Sequence, residues 1–246
     1  MTYTLDILGY ANPAHEAATD DADVATAPTG APAGVAFADA PASAPAAPVS
    51  APASAPALPL ITATEPEVTF ARWYRDSPIG DIYLTADENA LTGVWFDTHQ
   101  KYWEPKPEDI LNEKIPVLQQ TAEWLDIYFE GRDPGALPPI NLYRVTPFRR
   151  MVCEEMCKIP FGAVTSYGAI AHALEARTGK PKMSARAVGG GVGHNPVSIV
   201  IPCHRVVGAN KSLTGYGGGI QRKITLLELE GWNMAHFTVP TKGTAL

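Results

Sequence analysis

The chain has 246 residues, enough for one or two domains, and its charge is unevenly spread. The whole formal charge of −7 resides in residues 1–66, which hold seven acids (Asp6, Glu16, Asp20, Asp21, Asp23, Asp39, Glu65) and no Lys or Arg. Residues 67–143 hold 6 basic and 14 acidic side chains and residues 144–246 hold 13 and 5, so the basic half is where a polyanionic partner belongs. No run of about 18 apolar residues is present, which excludes a membrane-spanning helix. The N-terminus lacks a basic stretch leading into an apolar core, so no secretory signal is expected. Cys153, Cys157 and Cys203 do not make a disulfide framework and suit a reducing, cytoplasmic setting.

From Ala25 to Leu60, 23 of 36 residues are Ala or Pro. Such a segment buries too little apolar area to offset its chain entropy, so residues 1–66 are expected to be a disordered, acidic tail, extended by its prolines. Order is expected from about Val68. There the runs VTFARWY, DIYLTAD and ALTGVWFD, separated by Asp-Ser-Pro-Ile-Gly and Asp-Glu-Asn turns, predict an antiparallel meander. Val117, Leu118, Trp124, Leu125, Tyr128 and Phe129 then recur at helical spacing, with Pro116 in the first turn and Gly131 past the end. That aromatic stripe predicts a helix packed on the sheet, and residues 67–143 contain no catalytic constellation. They are expected to be a scaffold.

A proline-rich hinge (Pro134, Pro138, Pro139) leads into the basic half. Thr146-Pro147 starts a helix to about Lys158, Ser166 caps a second to about Arg177, and Ser184 caps a shorter third ended by Asn195-Pro196. A strand over Val197 to Ile201 would complete the outline of a helix-turn-helix with a wing. Three consecutive glycines, Gly189 to Gly191, are costly within a helix at roughly 1 kcal/mol each relative to alanine, so close backbone approach to another surface is expected. Arg186 stands beside that helix N-terminus, where free N–H groups favour phosphate.

The chemistry concentrates in Ile201-Pro202-Cys203-His204-Arg205-Val206. A cysteine flanked by imidazole and guanidinium sits in a field that favours the nucleophilic thiolate. Neighbours on an extended chain point to opposite sides, so His204 is expected to act on Cys203 through a water or the backbone turn. Glu230, ending a helix over Gln221 to Glu230, is a candidate orienting acid for His204, with a solvated helix-end carboxylate as the equal alternative. Cys153 and Cys157 share an apolar helical face and are expected to be core thiols. The spacing of Cys and His supplies no four-ligand zinc set, and no metal is expected.

Together these residues carry a family resemblance. Ile201 to Val206, Asn195-Pro196 before it and Gly215-Tyr216-Gly217-Gly218-Gly219 after it resemble the O6-alkylguanine-DNA alkyltransferases, also called methylated-DNA-protein cysteine methyltransferases. The match extends over about residues 67–236, through Ser77-Pro-Ile-Gly80, Thr146-Pro-Phe148, Ile159-Pro-Phe-Gly162, Ser166-Tyr-Gly168 and Ala185-Arg-Ala-Val-Gly189. The resemblance implies an α+β chain: a small ribonuclease-H-like N-terminal domain over 67–143, a winged helix-turn-helix domain over 144–236, and a short tail over 237–246. It implies a protein consumed in one turnover, in which Cys203 takes the alkyl group from guanine O6, and possible action on O4-alkylthymine besides. His204, held by Glu230, would remove the thiol proton, Tyr167 would protonate the leaving base, and Asn195 would brace the turn. Arg186, Ala185, Gly189 and Gly190 would meet the minor groove around a flipped nucleotide, and Pro202, Val206, Tyr216 and Gly217 would line its pocket. No cofactor and no membrane are implied, and the chain would act as a monomer on alkylated duplex DNA. Relatives that lack the cysteine bind lesions without repairing them, and Cys203 is present here. A Cys-His hydrolase would instead recycle its thiol.

Overall fold

Six strands form one mixed sheet in the order β1-β6-β4-β3-β2-β5: β1 (Leu60–Ile61), β2 (Phe70–Tyr74), β3 (Ile82–Ala86), β4 (Leu91–Phe96), β5 (Ile110–Leu111) and β6 (Ile140–Asn141). This computed structural model describes residues 60–61, 65–96 and 109–239. The disorder expected of residues 1–59, and the end of the C-terminal tail, lie outside the described residues. Strands β2, β3 and β4 are the antiparallel meander that the β-branched and aromatic runs predict. Its turns have local causes. Gly80 takes a positive φ of 92° to close the Ser77–Gly80 turn, and Asp87 Oδ1 accepts from the backbone N–H groups of Asn89 and Ala90 at 2.8 and 2.7 Å. Strand β1 pairs in parallel with β6, so the sheet takes in two residues from within the segment 1–66. Glu65 from the same segment pairs with Arg144.

Helix α1 (Pro116–Phe129) buries Val117, Leu118, Thr121, Trp124, Leu125 and Tyr128. Pro116 stands in its first turn, where no backbone hydrogen bond is lost, and Gly131 (φ 74°) turns the chain away. In the basic half, α2 (Pro147–Cys157) is capped by the Thr146 side chain. After β7 (Thr165–Ser166), α3 (Tyr167–Thr178) is capped by Ser166 and ends at left-handed Gly179, and α4 (Ala185–Val192) is capped by Ser184. Helices α2, α3 and α4 pack on one another. Strand β8 (Val206–Val207) pairs in parallel with β7, and α5 (Ile220–Leu229) follows.

One expectation is corrected here. Val197 to Ile201 is not a strand. Ile199 sits in the left-handed region at φ 69°, and the segment closes on itself through Val200 N–H to Ser198 O (2.8 Å) and Ile201 N–H to Val197 O (2.9 Å). The β-branched run suggested a strand, but these tight hydrogen bonds make a turn, and the short ladder of the basic half is β7–β8 instead. A single apolar cluster joins the two halves, running from Ile82 and Val94 through Leu118 and Tyr128 to Val152, Val188, Val200 and Leu226. The backbone joins them too: Val94 N–H donates to Pro196 O at 2.9 Å, and Val94 bridges Val197. The fold also continues past residue 236, since Leu213 N–H donates to Thr238 O at 2.9 Å.

The glycine run divides by position. A Cβ on Gly191 would come within 2.9 Å of Val152 on α2, whereas one on Gly190 would meet nothing within 4 Å. Gly191 therefore serves the close approach of α4 to α2. Gly191→Ala is expected to destabilise the fold by about 1–3 kcal/mol through this clash, and Gly190→Ala to be neutral or stabilising by up to about 1 kcal/mol through helix propensity. Urea denaturation of the two variants checks both signs.

Candidate active site

The turn that follows Ile201 carries the chemistry. Pro202 enters a single 3-10 turn over Cys203–Arg205, closed by Arg205 N–H to Pro202 O at 3.0 Å. The extended chain assumed from the sequence is therefore replaced by a turn. Asn195 holds it from the end of α4: its Oδ1 accepts from Val197 N–H at 3.0 Å, and its Nδ2 lies 2.8 Å from Ile201 O and 3.1 Å from Cys203 Sγ. One amide thus fixes the left-handed loop and the thiol together.

His204 and Arg205 both reach into a buried site around Glu230. Glu230 caps α5, and its carboxylate is fully buried. Oε1 meets His204 Nε2 at 2.7 Å and the Tyr128 hydroxyl at 2.9 Å, Oε2 accepts from Gly162 N–H at 3.1 Å, and Arg205 Nε lies 3.0 and 2.9 Å from the two oxygens. Arg205 also donates from Nη1 to Ile159 O at 2.7 Å. Burial works to raise the Glu230 carboxyl, but His204 and Arg205 override it and hold the group below the ordinary carboxylate range. The alternative of a solvated helix-end carboxylate is set aside. Burial lowers His204, so its imidazole is neutral at rest. With Nε2 facing a carboxylate, Nε2 carries the hydrogen and Nδ1 is the basic nitrogen. That Nδ1 is buried and has no hydrogen-bond partner in the protein.

The electrostatics of Cys203 also differ from expectation. Its neighbours do not supply a thiolate field, because Arg205 is committed to Glu230 and His204 is neutral. Burial raises the thiol above its ordinary range, opposed by hydrogen bonds from Asn195 and Ser198 and by the charge of Lys223. Lys223, on α5, is wholly buried and donates to Val206 O at 2.6 Å and Thr214 O at 3.2 Å. Burial lowers its own pKa to about 8. Cys203 is thus a neutral thiol surrounded by groups that stabilise its anion once it forms. Cys153, by contrast, is buried and pushed up to about 12, and Cys157, half-buried, is also raised.

The remaining predicted residues fall around this turn or on one exposed face. Pro202, Val206 and Tyr216 are buried, and Gly217 is exposed. Gly218 is the sterically demanded member of its run, since a Cβ there would meet Phe96 and Tyr216 at 2.7 Å. The Tyr167 hydroxyl donates to Thr214 O at 2.9 Å, and burial raises it to about 12, so it stays protonated. Ala185, Arg186 and Gly190 are exposed on α4, away from the buried network, while Gly189 packs near the Tyr167 ring. Among the described residues no group of three His, Cys, Asp or Glu comes together as a metal site. Tyr128, Lys223 and Ser198 escape sequence reasoning. Tyr128 looks like one more apolar-stripe aromatic, and nothing local signals its bond to a carboxylate 102 residues away.

A buried thiol held by an amide, beside a histidine that is oriented by a buried carboxylate, defines a protein that uses cysteine as a nucleophile. Residues 71–137 match the ribonuclease-like domain of 6-O-methylguanine DNA methyltransferase, and residues 147–232 match its DNA binding domain. The chain belongs to the methylated-DNA–protein-cysteine methyltransferase family. It is 35% identical over 158 residues to that protein of Haemophilus influenzae, covering 64% of this chain and 84% of the relative. It is 40% identical over 173 residues to the inducible form of Bacillus subtilis, covering 70% and 92%. Mycobacterium tuberculosis OGT, solved in complex with DNA, superposes with a TM-score of 0.51 at 35% identity, over 69% of this chain and 94% of that one.

Lys223→Met removes the positive charge that lowers Cys203. The midpoint for iodoacetamide labelling of the Cys203 peptide, followed by mass spectrometry against pH, is expected to move to higher pH. Because two carbonyls lose their donor, stability is expected to fall by about 2–4 kcal/mol.

Proposed function

We propose that the chain repairs duplex DNA by moving the alkyl group of O6-alkylguanine onto Cys203, once and irreversibly. The observation that carries this reading is the buried thiol on the Asn195-braced turn, next to a neutral His204 whose Nε2 is held by Glu230. As the Sγ–carbon bond forms, the carbon–O6 bond breaks, and the thiol proton passes through a water to His204 Nδ1. The resulting imidazolium is stabilised by the Glu230 carboxylate. Negative charge developing on the departing guanine is met by Tyr167, which exchanges the Thr214 carbonyl for guanine N3 and donates its proton there. The product is a thioether, so each molecule acts once.

The reacting carbon lies inside the base stack, and the nucleotide must be flipped out, with a penalty of a few kcal/mol. Helices α3 and α4 form the helix-turn-helix that enters the minor groove. Exposed Arg186 fills the space left by the flipped base, and the Ala185 and Gly190 surface lets the backbones approach. Pro202, Val206 and Tyr216 wall the base pocket, and the bare backbone at Gly217 leaves room for adducts larger than methyl. The protein acts as a monomer without a cofactor, in a cytoplasm that keeps Cys203 reduced.

Incubation with excess duplex carrying one O6-methylguanine is expected to add a single methyl to the Cys203 peptide, with guanine restored one for one by mass spectrometry. Cys203→Ala is expected to abolish transfer while keeping lesion binding. Product exceeding protein, or an unmodified protein that still binds the lesion, would refute the reading. Arg186→Ala is expected to slow repair of duplex at least about tenfold and to leave reaction with free O6-benzylguanine unchanged. Equal losses on both substrates would remove Arg186 from the flipping step.

A further inference from the structure

The half expected to be a scaffold contributes a side chain to the reactive site. Tyr128 lies on the buried face of α1, its ring stacked on Trp124 (centroids 5.6 Å apart, 6° between planes) and edge-on to His204 and Phe161. Phenylalanine would satisfy every one of these ring contacts. A buried hydroxyl adds a desolvation penalty that only a hydrogen bond offsets, and this one is spent on the site's single carboxylate, Glu230 Oε1 at 2.9 Å. The Tyr128 hydroxyl oxygen also stands 3.2 Å from His204 Nε2. Tyr128 therefore hydrogen-bonds both members of the proton-accepting pair.

We infer that Tyr128 is a positioning residue for alkyl transfer: its hydroxyl donates to Glu230 and sets how readily the His204–Glu230 pair takes up a proton. The inference rests on the proposed alkyl transfer to Cys203. Burial and the neighbouring carboxylate keep the phenol protonated far above neutral pH, so it always acts as the donor. Its hydrogen on Oε1 withdraws part of the carboxylate charge that would otherwise stabilise imidazolium or accept a proton outright. The contact to His204 acts in the opposite sense, but it is longer and involves a neutral ring, whereas the bond to Glu230 is charge-assisted. The donor effect is therefore the larger. Other charged or titratable groups facing the pair are Arg205 on the same turn, Lys223 from α5 and Tyr216 from the loop before α5. Among these, Arg205 is the other side chain that donates to the carboxylate.

Without the hydroxyl the pair binds a proton more readily, and His204 is removed as a base at a higher pH. In single-turnover transfer from O6-methylguanine duplex, Tyr128→Phe is expected to move the acid limb of the pH profile up by about half a unit to one unit, slowing the rate about threefold to tenfold below the limb and leaving the plateau above it within about twofold. Lesion affinity, measured in the Cys203→Ala background, is expected to stay within about twofold, since the substitution keeps the ring and its packing. A fluorinated tyrosine at 128, a stronger donor of nearly the same volume, is expected to shift the limb the other way, and it covers the case in which Tyr128→Phe folds poorly. Two results would overturn the role: an unaltered rate and profile in Tyr128→Phe, or a loss equal at every pH together with a limb that fluorination leaves in place. Failure of the wild-type chain to methylate Cys203 would instead sink the alkyl-transfer reading itself, so the two failures are separable.

Discussion

A fully buried carboxylate is tolerable only where its charge is met, and Glu230 is met by four groups. Arg205 and His204 reach it from the 3-10 turn, Gly162 N–H from the loop after α2, and the Tyr128 hydroxyl from α1. Much of the site's geometry follows from that requirement. Because Arg205 must face Glu230, the turn has to roll after Pro202. Because the turn rolls, Cys203 separates from its neighbours in sequence and falls to Asn195. The same constraint ties the last helix to the first, since losing any of these partners would leave a charge or a polar group stranded in an apolar interior.

Cys203 is consequently a thiol whose reactivity is stored rather than displayed. Burial protects it in the neutral form, which suits an acceptor that acts once and must not be spent on stray electrophiles. Anion stabilisation comes from Asn195, Ser198 and the buried Lys223, and beside the thiol stands a neutral imidazole whose free nitrogen is selected by the carboxylate on its other side. The first half takes part in this. Val94 N–H donates to Pro196 O at the start of the candidate-site loop, Phe96 lies against Tyr216 below Gly218, Arg222 reaches Ile79 O at 2.7 Å, and Tyr128 enters the carboxylate's shell. A domain read as scaffold is thus continuous with the machinery it supports.

Ile199 illustrates the cost of this arrangement. A β-branched residue at positive φ is strained by about 1–3 kcal/mol, and it persists because Asn195 and the short Val200 and Ile201 hydrogen bonds over-determine the loop. The sequence of that loop, Val-Ser-Ile-Val-Ile, reads as a strand because side-chain propensity is all that is visible locally. The two backbone bonds that refuse the strand are visible only after folding.

The sequence by itself determined what is local. Periodicity placed the meander and α1, Ser, Thr and Pro at the helix starts placed α2, α3 and α4, and the Pro-Cys-His-Arg run singled out the nucleophile. Those features depend on residues within a few positions of one another, where hydrogen-bonding caps, turn chemistry and side-chain alternation act directly. Tertiary structure decided which way each reactive group faces: Arg205 to Glu230 rather than to Cys203, Gly191 to Val152 rather than outward, and Tyr128 to a carboxylate 102 residues distant. These are contacts between elements, set by how one buried charge and one shared core are closed, and no property of the residues taken singly encodes them.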